Sequence, residues 1–318
     1  MRKFVLRIIL FCLVPLVLLI PLSMIVDKGL QKSRHFYFSE WNDLYAGRIQ
    51  ADMLFMGSSR AWVHFSPQIF DSAYHLNSYN LGLDGTTVDM QLERFHIYLR
   101  HNRKPRYIIQ EVGLHTAILR QKELPQYAQL LPYLSDTAIW RIYKKQYENA
   151  SLAERYFPLF KYNNQLPLIK EGILSFLGRG TAATKYKGYR GQLLSWDSSF
   201  SNFVRDNPRG YALSIDSTAI DIFKDYLKWC KEQDVKIILV YAPSYYEAGR
   251  YITNLSDIKN LISDIAAEYD VPYLDYTENY LDSNKRYFYN SQHLNKEGAE
   301  IFSRMVVRDI APYIKEVK

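Results

Sequence analysis

From residue 51 onward the chain is built on five short apolar runs separated by helical patterns. Met53-Leu54-Phe55-Met56 stops at Gly57, and Tyr79-Asn80-Leu81-Gly82-Leu83 stops at Asp84-Gly85. A third run starts at Tyr107-Ile108-Ile109 and reaches about Val112. The fourth, Ile237-Ile238-Leu239-Val240-Tyr241, ends before Pro243, and the fifth is Pro272-Tyr273-Leu274-Asp275-Tyr276. Between them, residues 88–99 and the stripe Ile220, Phe223, Tyr226, Leu227, Cys230 repeat at helical spacing. Residues 296 to about 314 do the same, with Ile301, Phe302, Met305, Val306 and Ile310 on one side. Runs this apolar read as strands buried on both faces, and their alternation with helices builds a parallel sheet covered on both sides. The expected architecture is therefore a three-layer α/β fold around a five-stranded parallel sheet, over residues 51–318.

The segment before this region carries a different signal. Arg2, Lys3 and Arg7 precede Ile8 to Val26, a stretch without a charged residue. As a helix rising about 1.5 Å per residue it would match the hydrocarbon thickness of a bilayer. A cleaved leader is the rival reading, but its apolar core usually runs only about 7–15 residues and ends in a small-x-small site. Pro21-Leu22-Ser23-Met24-Ile25-Val26-Asp27 offers none. Residues 1–26 are thus expected to form a cytoplasmic tip and a single transmembrane signal anchor, in contact with lipid through residues 8–26, with the bulk of the chain periplasmic or extracellular. Lys28, Lys32 and Arg34 beyond the span pull against that orientation. Residues 27–50, with His35, Phe36, Tyr37, Phe38 and Trp41, read as a juxtamembrane connector, resting on the interface or packed as a linker helix.

The formal charge of +7 shrinks to +4 once the basic tip is set aside. No basic run or finger spacing accompanies it, so nucleic acid is not an expected partner. Cys12 and Cys230 give no disulfide framework, and no His, Cys or carboxylate cluster has metal-ligand spacing. No cofactor is expected. Tyrosine, at 27 residues, suits sugar faces and interfaces as well as cores. The strand–helix rhythm breaks over residues 117–215, where Tyr, Trp, Pro, Lys and Arg crowd around a Gly-rich piece, Gly178 to Gly191. This stretch is expected to be an inserted, mainly helical cap at the carboxyl end of strand three, where open α/β sheets bind ligands. A helical buttress without substrate contact is the alternative.

In a parallel sheet the carboxyl ends of all strands share one edge, so residues far apart in sequence converge there. Ser58 and Ser59 follow strand one, Gly82 to Thr86 strand two, and Gly113 to His115 strand three. His293 stands before the last helical pattern, preceded by Asn290-Ser291-Gln292. A hydroxyl and an imidazole at one edge are the minimum of an activated serine nucleophile. Each also has an ordinary reading: serines after a strand cap helices, and His64, His35, His75, His96 and His101 show how scattered this chain's histidines are. Arg60 would either bind an anionic substrate group or pair with a local carboxylate.

The constellation resembles the SGNH (GDSL-like) hydrolase superfamily, across most of residues 51–315 outside the insertion. Gly57-Ser58-Ser59 matches its Gly-Asp-Ser block, which makes Ser59 the nucleophile by position. Asn80-Leu81-Gly82 matches the second block, and the resemblance implies an oxyanion donor at the Gly82 amide. His115 stands where the third block has an asparagine donor. Asn290-Ser291-Gln292-His293 replaces Asp-x-x-His, making His293 the general base and leaving Asn290 where an aspartate belongs. The Gly57-Ser58-Ser59-Arg60 and His293-Leu294-Asn295 forms look most like membrane-anchored proteins serving cell-surface acylation, such as alginate O-acetylation and teichoic acid D-alanylation proteins. The resemblance implies a flavodoxin-like topology, serine-based acyl transfer or ester hydrolysis on a cell-envelope polysaccharide or acylated glycan, and a membrane-bound O-acyltransferase as partner. Three accounts of Asn290 stay open: a Ser59–His293 dyad, a carboxylate such as Asp282 or Asp84 reaching His293, or a degenerate site that only binds.

Overall fold

A computed structural model describes residues 2–35, 38–113, 126–147, 149–183 and 185–314. In chain order its elements are α1 (Arg2–Leu30), α2 (Ser39–Tyr45), β1 (Met53–Met56), α3 (Ser59–His64), α4 (Pro67–Tyr74), β2 (Ser78–Asn80), α5 (Val88–His101) and β3 (Tyr107–Glu111). There follow α6 (Thr137–Gln146), α7 (Leu152–Tyr156), α8 (Leu166–Phe176), α9 (Ser199–Asp206), α10 (Ser217–Glu232) and β4 (Lys236–Tyr241). The chain closes with α11 (Tyr246–Arg250), α12 (Leu255–Glu268), β5 (Tyr273–Asp275), β6 (Phe288–Asn290), β7 (His293–Leu294) and α13 (Lys296–Ile310).

The chain divides into two compact units, residues 1–46 with 123–184 and residues 47–122 with 185–318. The split departs from the expected single insertion over 117–215. Residues 123–184 group with the N-terminal helix, and residues 185–215 belong to the unit that holds the sheet. Sequence pattern alone does not show which partner an apolar helix packs against, and α8 finds its partner in α1.

In the first unit α8 lies against α1 at a glycine contact: a Cβ on Gly29 would fall 1.7 Å from the Gly172 carbonyl oxygen. The connector is packed rather than laid open, since Phe38, Trp41 and Leu44 are fully buried and the Trp41 indole N–H donates to Gln129 Oε1 at 2.7 Å. Helix α1 takes in the whole Ile8–Val26 run. Among the described residues no helix is long and apolar enough to cross a membrane.

The second unit is built on a five-stranded parallel sheet of order β2-β1-β3-β4-β5, in which Leu54 pairs with both Tyr79 and Ile108, Ile108 with Ile237, and Val240 with Leu274. This is the order of flavodoxin-like doubly wound sheets, whose switch point falls between the first and third strands. Phe55, Ile109 and Val240 point to one face, where Phe65, Phe70, Phe302 and Val306 of α3, α4 and α13 complete the core. The alternation of strand side chains sends Met56 to the other face, where Tyr226 of α10 donates to its sulfur and packs edge-on against Phe95 of α5. Strand β2 stops at Asn80, short of the expected Leu83. The Asn80 amide donates to the Ala61 and Phe65 carbonyls and its Oδ1 accepts the Gly82 N–H, turning the chain away. A second feature had no periodic signal: β6 and β7 form a short antiparallel pair that sets Asn290 opposite His293.

Candidate active site

The position of Ser59 is set by a sharp strand-to-helix turn. Gly57 has φ +143, and a Cβ there would press on Ala61 Cβ at 2.8 Å and Glu111 Cβ at 2.9 Å, so only glycine fits between β1 and α3. The chain then enters α3, placing Ser59 at its first position. The Ser59 N–H therefore stands where helix geometry leaves amides without an intrahelical acceptor.

An imidazole arrives from the opposite end of the sequence. Ser59 Oγ lies 2.7 Å from His293 Nε2. On the other side of the ring, Nδ1 is 2.9 Å from Asn290 Oδ1. The same oxygen accepts the backbone N–H groups of Gln292 and His293, both at 3.0 Å. Those two donors fix the asparagine's orientation, because only its oxygen can face them. The His293 ring must then carry its proton on Nδ1, leaving Nε2 as the acceptor toward Ser59. An asparagine free to turn would present its NH2 group and reverse the tautomer; here the backbone prevents that. Asn290 thus supplies the orienting half of a carboxylate's role without its charge.

Burial, and then the Arg60 guanidinium, push His293 down to about 3, with Asp197 opposing them. The imidazole is neutral at any ordinary pH. Tyr289 stacks on the ring at 5.3 Å and 8°, which fixes its plane. Neither carboxylate weighed from sequence holds Nδ1: that position belongs to Asn290, and the Asp282 carboxylate accepts the Asn279 N–H. Asp197, an exposed residue with no signal in the sequence, is the carboxylate whose charge opposes the lowering of His293.

His64, at the last position of α3, is fully buried. Its Nε2 accepts the Leu294 N–H at 3.0 Å, and its ring meets His293 edge-on at 6.2 Å. Burial first, then Arg60 and His293, hold it well below the usual histidine range. A neutral ring accepting at Nε2 carries its proton on Nδ1. His64 ties α3 directly to β7, so the elements that carry Ser59 and His293 are held together by this bond as well as by the Ser59–His293 contact.

Arg60 lies beneath the pair. Its Nε is 3.4 Å from Glu111 Oε1, its Nη2 donates to the Ala242 carbonyl, and the guanidinium sits over the Tyr241 ring at 5.3 Å. Burial pushes the Glu111 carboxyl up, against the pull of Arg60. The charge is therefore paired inside the fold. Arg60 also lines, with His293, a cavity of about 340 Å³ whose apolar side is Phe203, Leu213 and Ile252.

Gly82 and His115 are the two residues expected to serve the oxyanion. The Gly82 N–H is engaged at 2.9 Å by Asn80 Oδ1. Its glycine is required for another reason: a Cβ would meet the Trp62 amide nitrogen at 2.3 Å. His115 lies outside the described residues.

No protein-family model matches the chain, and no curated protein matches it. Solved structures do. A proposed acylhydrolase from Bacteroides fragilis aligns over 83% of this chain and 88% of its own at 12% identity and a TM-score of 0.40. A GDSL-like lipase from Bacteroides thetaiotaomicron aligns over 82% of this chain and 88% of its own at 14% identity and a TM-score of 0.38.

Proposed function

We propose that this protein is a serine acyl hydrolase or acyltransferase, with Ser59 as nucleophile, His293 as general base and Asn290 as the residue that orients it. One observation carries the reading: Ser59 Oγ and Asn290 Oδ1 hold opposite nitrogens of the same neutral ring, at 2.7 and 2.9 Å. In the first half-reaction Oγ attacks the acyl carbonyl and its proton passes to His293 Nε2. The tetrahedral oxyanion faces the Ser59 N–H at the start of α3. Collapse leaves the acyl ester on Oγ, and the imidazolium returns the proton to the departing alkoxide. Water or a glycan hydroxyl then repeats the sequence in reverse. With no carboxylate at position 290, the imidazolium forms against its surroundings, which favours slow turnover.

The finer reading is a membrane-anchored enzyme outside the cytoplasmic membrane, acting on O-acyl groups of a cell-envelope glycan beside a membrane-bound O-acyltransferase. The uncharged run within α1 and the resemblance of the Ser59 and His293 segments support it. A second reading, a scaffold or glycan-binding subunit that has lost the reaction, is favoured by the occupied Gly82 amide and the uncharged Asn290. A fluorophosphonate probe separates the two. Labelling that disappears in Ser59→Ala and in His293→Ala supports the enzyme; no labelling of the wild-type protein at high probe concentration removes it.

A further inference from the structure

Helix α8 is inside out. Of its eleven residues only Gly172 and Ser175 are buried, while Leu166 is 75% exposed and Leu168, Ile169, Ile173 and Leu174 are all partly exposed. Its contact with α1 is made by the glycine, packed against Val26 and Gly29. A surface helix in water buries its large apolar side chains and shows its small and polar ones. Small residues at the helix contact with large apolar ones turned outward is the arrangement helices adopt in lipid. The preceding segment repeats it: Leu152, Tyr156 (71%), Phe157 and Phe160 are exposed, and Leu177 (63%) continues the surface beyond α8.

The height of this surface along α1 is fixed by specific bonds. The Leu159 N–H donates to Ser23 Oγ at 3.2 Å, and Lys161 and Tyr162 both bind the Asp27 carboxylate. The apolar ring therefore sits at the C-terminal end of the uncharged run, where hydrocarbon would give way to headgroups. Cations stand beside its aromatics: the Arg155 guanidinium lies over Tyr156 at 5.4 Å and Lys32 over Phe176 at 5.2 Å. Aromatic rings flanked by Lys and Arg mark membrane–water interfaces, where lipid phosphates supply the counter-charge. At about 1.5 Å per residue, α8 is roughly 16 Å long, too short to cross a bilayer and suited to lying in its interface.

We propose that residues 152–160 and α8 form a collar seated in the headgroup layer of an anionic membrane. The proposal rests on the anchor reading of α1. It is tested with the full-length protein, in a Cys12→Ser background, incorporated into phosphatidylethanolamine–phosphatidylglycerol vesicles. An environment-sensitive fluorophore is attached at Phe157→Cys, Leu166→Cys or Leu177→Cys, with Tyr280→Cys of the sheet-bearing unit as control. Flotation with the vesicles, together with blue-shifted emission quenched by shallow spin-labelled lipid at the three collar positions but not at 280, supports the collar. Flotation with unquenched collar labels overturns the collar and leaves the anchor standing. A protein that does not float overturns both. Glutamate at Leu166 and Phe157 together should abolish the quenching at Leu177 while leaving fluorophosphonate labelling of Ser59 unchanged.

Discussion

Asn290 Oδ1 gathers three N–H groups, two from the backbone of Gln292 and His293 and one from the His293 ring. The first two set the orientation of the asparagine, and the third sets the tautomer of the histidine. The difference between Asn and Asp at this position is thereby reduced to charge.

Asn290→Asp should raise turnover, because a carboxylate in the same place stabilises the imidazolium. In a serine protease the reverse change costs about 10⁴, much of it through the wrong tautomer; the gain here should be smaller, since the tautomer is already correct. Asn290→Ala should lower turnover, by losing the ring anchor and both backbone bonds. Steady-state hydrolysis of p-nitrophenyl acetate measures both. No gain in the aspartate variant would mean that charge at this position does not limit the rate.

Activity should persist far into acid. In the proposed reaction His293 acts as a neutral base, and burial with Arg60 pushes its protonation down to about 3. A depressed value means that function is lost only as pH falls through it, so the acid limb of kcat/KM should lie well below the usual histidine value of about 6.5. Stability moves differently. An unfolded chain protonates His64 and His293 near 6.5 while the folded one resists, so the unfolded state binds more protons below that pH. Folding stability should decline as pH drops below about 6.5, by at most about 1.4 kcal/mol per unit for each histidine. Urea unfolding at pH 7 and pH 5 measures the decline; equal midpoints would contradict it.

His64→Phe keeps the ring's shape but strands the buried Leu294 N–H. The expected cost is about 1–3 kcal/mol, with a fall in kcat as β7 loosens and the Ser59–His293 contact lengthens. His64→Gln, whose side-chain oxygen also accepts, should recover part of both losses. If the two variants behave alike, the hydrogen bond to Leu294 is not what His64 contributes.

The Arg60–Glu111 pair is buried on both sides, at 6% and 0% side-chain exposure. Arg60→Met leaves the carboxylate without its cation and should destabilise the protein by about 3–5 kcal/mol. Adding Glu111→Gln should recover much of this. A double variant no more stable than Arg60→Met would show that the pair does not act as a unit. Chemical denaturation of the three proteins decides it.

The sheet was readable because its strands are short and mainly apolar, with Gly57 and Pro243 closing the first and fourth, so the burial shows in the residue types themselves. Ser59 and His293 were readable for a related reason: both stand at the carboxyl edge such a sheet must have. What stayed hidden depends on contacts between distant segments. His64 sits on an apolar helix face like any core residue until Leu294 is placed against it. Asp197 acts across space and has no spacing to betray it. The grouping of residues 123–184 with α1 depends on a pair of glycines, Gly29 and Gly172, that read separately as ordinary helix positions. Gly82 has a role that spacing does not show: its missing side chain lets the turn after β2 lie on the Trp62 backbone.

The distance in sequence between Ser59 and His293 also sets an order in time. At about 5–20 residues per second, the ribosome makes the base roughly 12–47 s after the nucleophile. During that interval Ser59 has no histidine beside it, and α3 lacks the β7 and α13 contacts that complete its side of the core. Residues 1–46 and 123–184 are all made before the last third of the chain. The unit that holds α1 and α8 is therefore complete in sequence while Ser59 still lacks His293. If Ser59 is the proposed nucleophile, it gains its His293 partner only with the final segment, so a truncated or still-growing chain would lack the pair.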